Sequence, residues 1–332
     1  MLRHRLKQIT KKTLRLTGLY NILWRFIPNG VYVFNYHRIG DKNTCEFDRE
    51  VFSCTAEGFD QQCQFIKANF KVISSEELIS IRKEGKCESN KYALITFDDG
   101  YIDNYSEAFP ILKKYNIPAT FYVATNFVNN DLIPWWDEIA YILRKSQGMS
   151  YQLPTQSITY ELKSDEIESV ISRVIYDAKR LQSVTVIEVL DDIRSTFSSY
   201  LDDFKNQKHN LFMNWEQLIE MSSSGMKIGS HTLSHQMLSQ LSDVSQEYEL
   251  MHSKKIIEDN LTGKIESVVY PVGRKHCYTE RTCQLAALSG YTFGFNNEPG
   301  RITNTSNPHD LNRYCIGSND IVELKLTVLF HL

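Results

Sequence analysis

No apolar run in this chain is long enough to cross a bilayer. The start also lacks the continuous apolar core and small-residue cleavage site of an export signal. Seven cysteines are present, at 45, 54, 63, 87, 277, 283 and 315. They are odd in number and no two have C-x-x-C spacing, so they read as free thiols in a reducing cytosol. The even spacing of Cys45, Cys54 and Cys63 is wrong for a zinc clip. There is no internal repeat and no low-complexity tract. A net charge of −3 excludes a general nucleic-acid binder. Acid is absent before Asp41, while Arg3, Arg5, Lys7, Lys11, Lys12, Arg15 and Arg25 come early. Leu2, Leu6, Ile9, Leu16 and Leu23 recur among them at helical spacing, so residues 1–30 read as a basic amphipathic helix. Two readings stay open: it lies on an anionic membrane surface, or it packs on the domain.

The 332 residues allow one large α/β domain or two smaller ones. Val31 to Tyr36 is rich in β-formers and delivers His37 and Arg38 to its end. A helical pattern from Phe59 to Phe70 precedes a short strand, Lys71 to Ile73. Ser74 or Ser75 caps a helix reaching Arg82, with Glu76 and Glu77 in its first turn. Ala93 to Phe97 is a buried strand; a helix from Asp103 to Tyr115 and a strand from Ala119 to Ala124 follow. Alternating strands and helices with short links imply a parallel sheet covered by helices. Pro134 to Glu138 opens another helix. From about 144 to 212 charges and serines dominate, with amphipathic patches such as Asp165 to Leu181, which reads as a mostly helical insertion. The alternation then resumes: helix Trp215 to Ser223, strand Met226 to Gly229, helix Asp243 to Asn260, strand Ser267 to Tyr270. A helix from Thr279 to Ser289, strands near Tyr291 to Phe295 and Leu311 to Ile316, and a helix from Ile321 to Leu329 complete the chain.

Three stretches carry chemistry. Asp98 and Asp99 end a buried strand side by side, before Gly100. Adjacent carboxylates are costly there unless a cation offsets them, and a metal ion lets one stay ionised as a base. Asp-Asp-Gly is also good turn chemistry, which is the plainer reading. His231 and His235 start where the strand Met226 to Gly229 ends, and four-residue spacing puts both on one side of a helical turn. Asp99 with these two imidazoles makes a three-ligand set with an open fourth position. At Tyr270-Pro271-Val272-Gly273, proline fixes the backbone and glycine permits a sharp turn, so the Val272 amide can point into a cavity.

These pieces, in this order, resemble the polysaccharide deacetylase family, the carbohydrate esterases with the NodB-homology fold. Thr96 to Gly100 is similar to the family's first motif, His231 to His235 to its second, and Tyr270 to Gly273 to a variant of its third. Ile117 to Val123 and Gly229 to Thr232 also read like family segments. The resemblance implies an α/β fold, a distorted (β/α)7-type barrel, here with a helical insertion and the basic N-terminal helix. It implies a divalent metal, usually zinc, bound by Asp99, His231 and His235. Asp98 would be the general base, and the Val272 amide would hold the oxyanion. Two departures stand out. Tyr270 occupies the place of the usual arginine, and the usual C-terminal leucine-histidine motif is missing. However, Asn35 to Ile39 resembles the N-terminal Tyr-His-Arg segment of a branch with permuted strand order, which makes His37 the general acid. His276, His309 and His331 are the fallbacks. Arg313, on the last expected strand, is a candidate for orienting Asp98. Tyr101, Trp135 and Tyr270 are expected to contact substrate, and Trp136 to pack.

The expectation is a metal-dependent N-deacetylase acting on an N-acetylated sugar of a bacterial surface polysaccharide or its precursor. It would be cytoplasmic, peripheral at the inner membrane face through residues 1–30. The rivals are a deacylase of a non-sugar amide and an inactive glycan-binding module.

Overall fold

The computed structural model describes residues 2–130, 132–154, 157–179, 185–200 and 210–332. Two compact units emerge. One comprises Met1–Gly40, Ser53–Asn129 and Phe212–Leu332, the other Asp41–Phe52 and Asn130–Leu211.

The sheet of the first unit contains β1 (Gly30–Tyr36), β2 (Lys71–Val72), β3 (Lys91–Phe97), β4 (Ala119–Val123), β5 (Lys227–Ser230), β6 (Ser267–Val269), β7 (Phe293–Phe295) and β8 (Tyr314–Cys315). Their order is β7-β6-β5-β4-β3-β1-β8, with β2 also beside β3. Every pairing is parallel. The ends of the path are bridged by the stretch leading into β8. Leu311 N–H donates to Gly294 O, and Asn296 N–H donates to Leu311 O, both at 2.9 Å. This curls the seven-strand path into a distorted barrel, the α/β class that the strand–helix alternation implies.

The strands alternate poorly in hydropathy because both faces are buried. Val31 and Val33 of β1, with Tyr92 and Leu94 of β3, join one apolar cluster. Tyr32, Phe34 and Tyr36, with Ala93, Ile95 and Phe97, join another with residues of the surrounding helices. The two-residue period therefore carries Asn35, Thr96 and Asp98 onward along the face of the first cluster, at the C-terminal strand ends.

Helices α1 (Leu2–Thr17), α2 (Leu19–Arg25), α3 (Ala56–Asn69), α4 (Ser75–Lys83), α5 (Phe109–Tyr115), α6 (Trp215–Ser223), α7 (Asp243–Asn260), α8 (Glu280–Leu288) and α9 (Ile321–Leu329) complete the unit. Local sequence sets several starts: Ser74 with Glu77, and Asn214 with Gln217, form reciprocal capping boxes. The expected single N-terminal helix is two, because Gly18 adopts the left-handed φ of 70° between them. The expected helix from Asp103 begins as a π-helical turn, Asn104–Ala108.

The second unit packs helices Trp135–Lys145, Ile167–Ala178 and Val186–Thr196, and also holds an antiparallel pair, Ser150–Gln152 with Thr159–Glu161. Residues 155–156, 180–184 and 201–209 of the expected insertion, with Leu181 at the end of its predicted helix, lie outside the described residues. The unit begins at Asn130, earlier than the expected 144, and also recruits Asp41–Phe52. Its first helix buries Trp136, Ile139, Ile142 and Leu143, so the stretch before 144 shows none of the polar shift that marks the rest.

Gly229 lies just before the second motif, and a Cβ there would overlap the buried Tyr122 ring. Gly229→Ala should destabilise the fold by about 1–3 kcal/mol through overpacking, measured as a lower urea midpoint at unchanged slope.

Candidate active site

Asp98 leaves β3 with both carboxylate oxygens occupied. Oδ1 accepts from Arg313 Nη1 at 2.8 Å, and Oδ2 from Arg313 Nη2 at 2.7 Å and Asn35 Nδ2 at 2.9 Å. Asp98 and Arg313 are both 0% exposed. Burial pushes the Asp98 carboxyl up, but the Arg313 guanidinium more than offsets this and holds it below the usual range. His37 stands on the other side, its Nε2 3.9 Å from Asp98 Oδ2. Its backbone is fixed by Ser53 Oγ, which accepts from His37 N–H at 2.9 Å, and by Asn104 Nδ2, which donates to His37 O at 2.7 Å. Arg38, the next residue, is buried and pairs with Asp103 at 2.8 Å.

Asp99 turns away from its neighbour because its φ is 74°. Gly100 follows at φ 86°, where a Cβ would press on Val123. Asp99 Oδ1 thereby lies 3.4 Å from Nε2 of both His231 and His235. His231 is oriented by its other nitrogen, 2.9 Å from Val269 O, which leaves Nε2 directed at Asp99. The two imidazoles stand nearly perpendicular, at 83°. One ligand atom from each of the three residues lies within 4.8 Å of the others.

This set fits a divalent cation. Asp99 Oδ1 is buried and accepts no hydrogen bond of good geometry. Burial pushes the Asp99 carboxyl up, yet the facing imidazoles hold it well below the usual range. Burial likewise pushes His231 down, and Asp99 and Asp98 together hold it up. The pocket favours positive charge at its centre, and an N/N/O donor set suits a divalent transition metal.

The third motif contributes a γ-turn of the rare positive-φ form. Gly273 N–H donates to Pro271 O at 2.6 Å across Val272, whose φ is 61°. Such a φ is a genuine outlier for a β-branched residue. Asn297 secures the turn: its N–H donates to Gly273 O at 2.8 Å and its Nδ2 to Val272 O at 3.2 Å.

Residues 85–294 match the sequence profile of the family described as polysaccharide deacetylase. The chain belongs to the polysaccharide deacetylase family. The Bacillus subtilis (strain 168) protein YxkH is 24% identical over 287 residues, 86% of this chain and 71% of that protein. A poly-beta-1,6-N-acetyl-D-glucosamine N-deacetylase of Staphylococcus aureus (strain N315) is 23% identical over 220 residues, 62% of this chain and 73% of its own. Among solved structures, the Streptococcus pyogenes deacetylase PplD in complex with acetate shares the fold. Its TM-score is 0.58 at 21% identity, over 90% of this chain and 99% of that one.

Within this polysaccharide deacetylase, the structure brings together Asp98, Asp99, His37, His231, His235 and Arg313, as the motifs suggested. It corrects three expectations. His231 to His235 is a loop, since Thr232 and His235 have φ of 67° and 59°. Tyr101 is fully buried, stacked on Phe212 at 4.7 Å with the Arg38 guanidinium 4.7 Å from its ring, so it offers no face to a sugar. Tyr270 is fully buried too, stacked on Tyr278 at 4.9 Å with its hydroxyl donating to His309 O. Trp135, in the second unit, stays half-exposed and edge-on to Trp136, with Lys179 Nζ 5.4 Å from its ring. Of the fallback acids, His309 and His331 bond backbone carbonyls, of Tyr291 and Thr327.

Three site residues were not found by sequence reasoning. Asn35 and Asn297 each bond Arg313, at 2.9 and 2.7 Å, and Asn35 also bonds Asp98. Glu249, on α7, accepts from the Leu233 and Ser234 N–H groups at 2.9 Å each and from Ser234 Oγ at 2.5 Å. No local motif marks them; only the position of Asn35 beside the Tyr-His-Arg segment offered a signal.

The parent is expected to bind one metal ion and His231→Ala to bind none, read by elemental analysis after dialysis; full occupancy in the variant would sink the ligand assignment. Glu249→Ala should weaken metal affinity by about 10–100-fold, the usual cost of losing a partner that orients ligands. Titration calorimetry checks this, with Glu249→Gln giving a smaller loss.

Proposed function

We propose that the protein is a metal-dependent N-deacetylase that removes acetyl from an N-acetylated sugar of a bacterial surface polysaccharide or its precursor. The observation that carries this reading is the division of labour between two adjacent carboxylates. Asp99 faces two imidazoles, while Asp98 is clamped by Arg313 and approached by His37. A pure binding site has no need of the second carboxylate. The S. aureus relative, named for its action on poly-beta-1,6-N-acetyl-D-glucosamine, supports the substrate class.

Asp99, His231 and His235 would hold the metal, zinc in this proposal. When bound, it lowers the pKa of water and polarises the amide carbonyl. Asp98, kept ionised by Arg313, accepts the proton of the attacking water. The Val272 amide donates to the carbonyl oxygen as that oxygen gains negative charge. His37 then protonates the leaving sugar nitrogen, the carbon–nitrogen bond breaks, and acetate and a free amine result. The placement of β1 between β3 and β8 supports His37 in this role, because the Tyr-His-Arg strand then adjoins the Asp98 strand. We place the protein in the cytoplasm, which its odd number of cysteines without C-x-x-C spacing supports. Contact of residues 1–30 with the inner membrane face belongs to the same proposal.

Asp98→Asn and His37→Gln should each retain metal while turnover falls by about 10²–10⁴-fold. Acetate release from N-acetylglucosamine oligomers, from lipid-linked N-acetylated sugars and from non-sugar acetamides is the readout. Release from non-sugar acetamides alone would replace this reading with a general deacylase. Binding of glycan with no release from any substrate would leave a glycan-binding module. Near-parent turnover in His37→Gln would return the acid role to another histidine.

A further inference from the structure

The two N-terminal helices dock by one face and leave a different, apolar face uncovered. On the docked side, Trp24 is buried and its Nε1 donates to Asn69 Oδ1 at 3.0 Å. Lys325 Nζ of α9 lies 5.5 Å from the Tyr20 ring and 5.9 Å from the Trp24 ring. Lys11 pairs with Glu323 at 2.5 Å, and Arg15 pairs with Asp320.

The other face carries Leu19, Ile22, Leu23 and Phe26, spaced i, i+3, i+4 and i+7, with Ile9 and Leu16 one heptad apart on α1. All six are exposed, Leu16 and Phe26 by 78% each. An amphipathic surface helix ordinarily turns such a stripe to the core. Here the core-facing side is another one, so Leu19, Ile22, Leu23 and Phe26 form an exposed apolar stripe along α2 rather than scattered surface residues. Its surroundings are basic. Lys12 and Arg25 are exposed and form no ion pair among the described residues, and no acid occurs before Asp41. A second copy pairing through this patch would set like charge against like. An anionic lipid surface supplies both the apolar depth and the negative charge.

We infer that α1 and α2 form a peripheral membrane-binding element, with Leu16, Leu19, Ile22, Leu23 and Phe26 set into the headgroup region of an anionic bilayer and Lys12 and Arg25 at its phosphates. This gives residues to the membrane contact proposed above and does not depend on the deacetylase reading.

The test is sedimentation of the full chain with vesicles of phosphatidylcholine alone or mixed with phosphatidylglycerol. Binding is expected to the mixed vesicles only, and to fall as salt rises. Ile22→Glu with Phe26→Glu should abolish it, and Lys12→Ala or Arg25→Ala should each weaken it by about fivefold. No sedimentation at low salt, or sedimentation that the glutamate variants retain, overturns the inference. So does a dimer in gel filtration that those variants dissolve while parent protein ignores vesicles. Acetate release from a soluble substrate, run on the same samples, bears only on the deacetylase reading.

Discussion

The buried pair of Asp98 and Arg313 is the interaction on which the rest of the site depends. Removing both groups from water is expensive, and the geometry has to compensate. It does so by completing every contact around the pair. Arg313 Nε donates to Asn296 O, Nη1 to Asn35 Oδ1, and Nη2 to Asn297 Oδ1. Thr96 Oγ1 donates to Asn35 Oδ1 at 2.8 Å. These residues come from β1, β3, the end of β7 and the approach to β8, so one ion pair ties together the strand ends that meet where the barrel closes. Deleting one partner of such a pair typically costs about 3–5 kcal/mol, because a buried charge is left alone. Its value here lies in fixing where a carboxylate points and keeping it ionised.

Around this pair the backbone is strained in a localised way. Six non-glycine residues among those described have left-handed φ, and four of them are Asp99, Thr232, His235 and Val272. Such conformations persist only where neighbouring contacts over-determine them. Those contacts are present: Glu249 holds the amides of Leu233 and Ser234, Thr232 Oγ1 accepts from His235 N–H, and Asn297 brackets Val272. Each of these four sits in one of the three motifs, so most of the strain and the candidate chemistry occupy the same loops.

Much of this was legible in the sequence because it is local. A strand ending in two acids, a histidine pair after another strand, and a proline–glycine turn after a third all announce themselves in a few residues. The alternation of strands and helices gave the parallel sheet for the same reason. What was not legible is what depends on φ or on distance along the chain. Four-residue spacing suggested a helical turn for His231 and His235, but spacing does not reveal that Thr232 is left-handed. Tyr101 and Tyr270 sit near strand ends, yet position along a strand does not say whether a ring faces a cavity or the core. Glu249 and Asn297 act on loops from 15 and 25 residues away, at Ser234 and Val272, and nothing nearby marks them.

In the proposed mechanism the two neighbouring carboxylates have different tasks, one toward a metal and one toward a proton. Anomalous scattering from crystals grown with zinc, recorded at the zinc edge, tests this division most directly. A single strong peak is expected in contact with Asp99, His231 and His235, with Asp98 still paired to Arg313 and not bonded to the ion. A peak bonded to Asp98, or none among these three residues at full zinc saturation, would refute this division of roles.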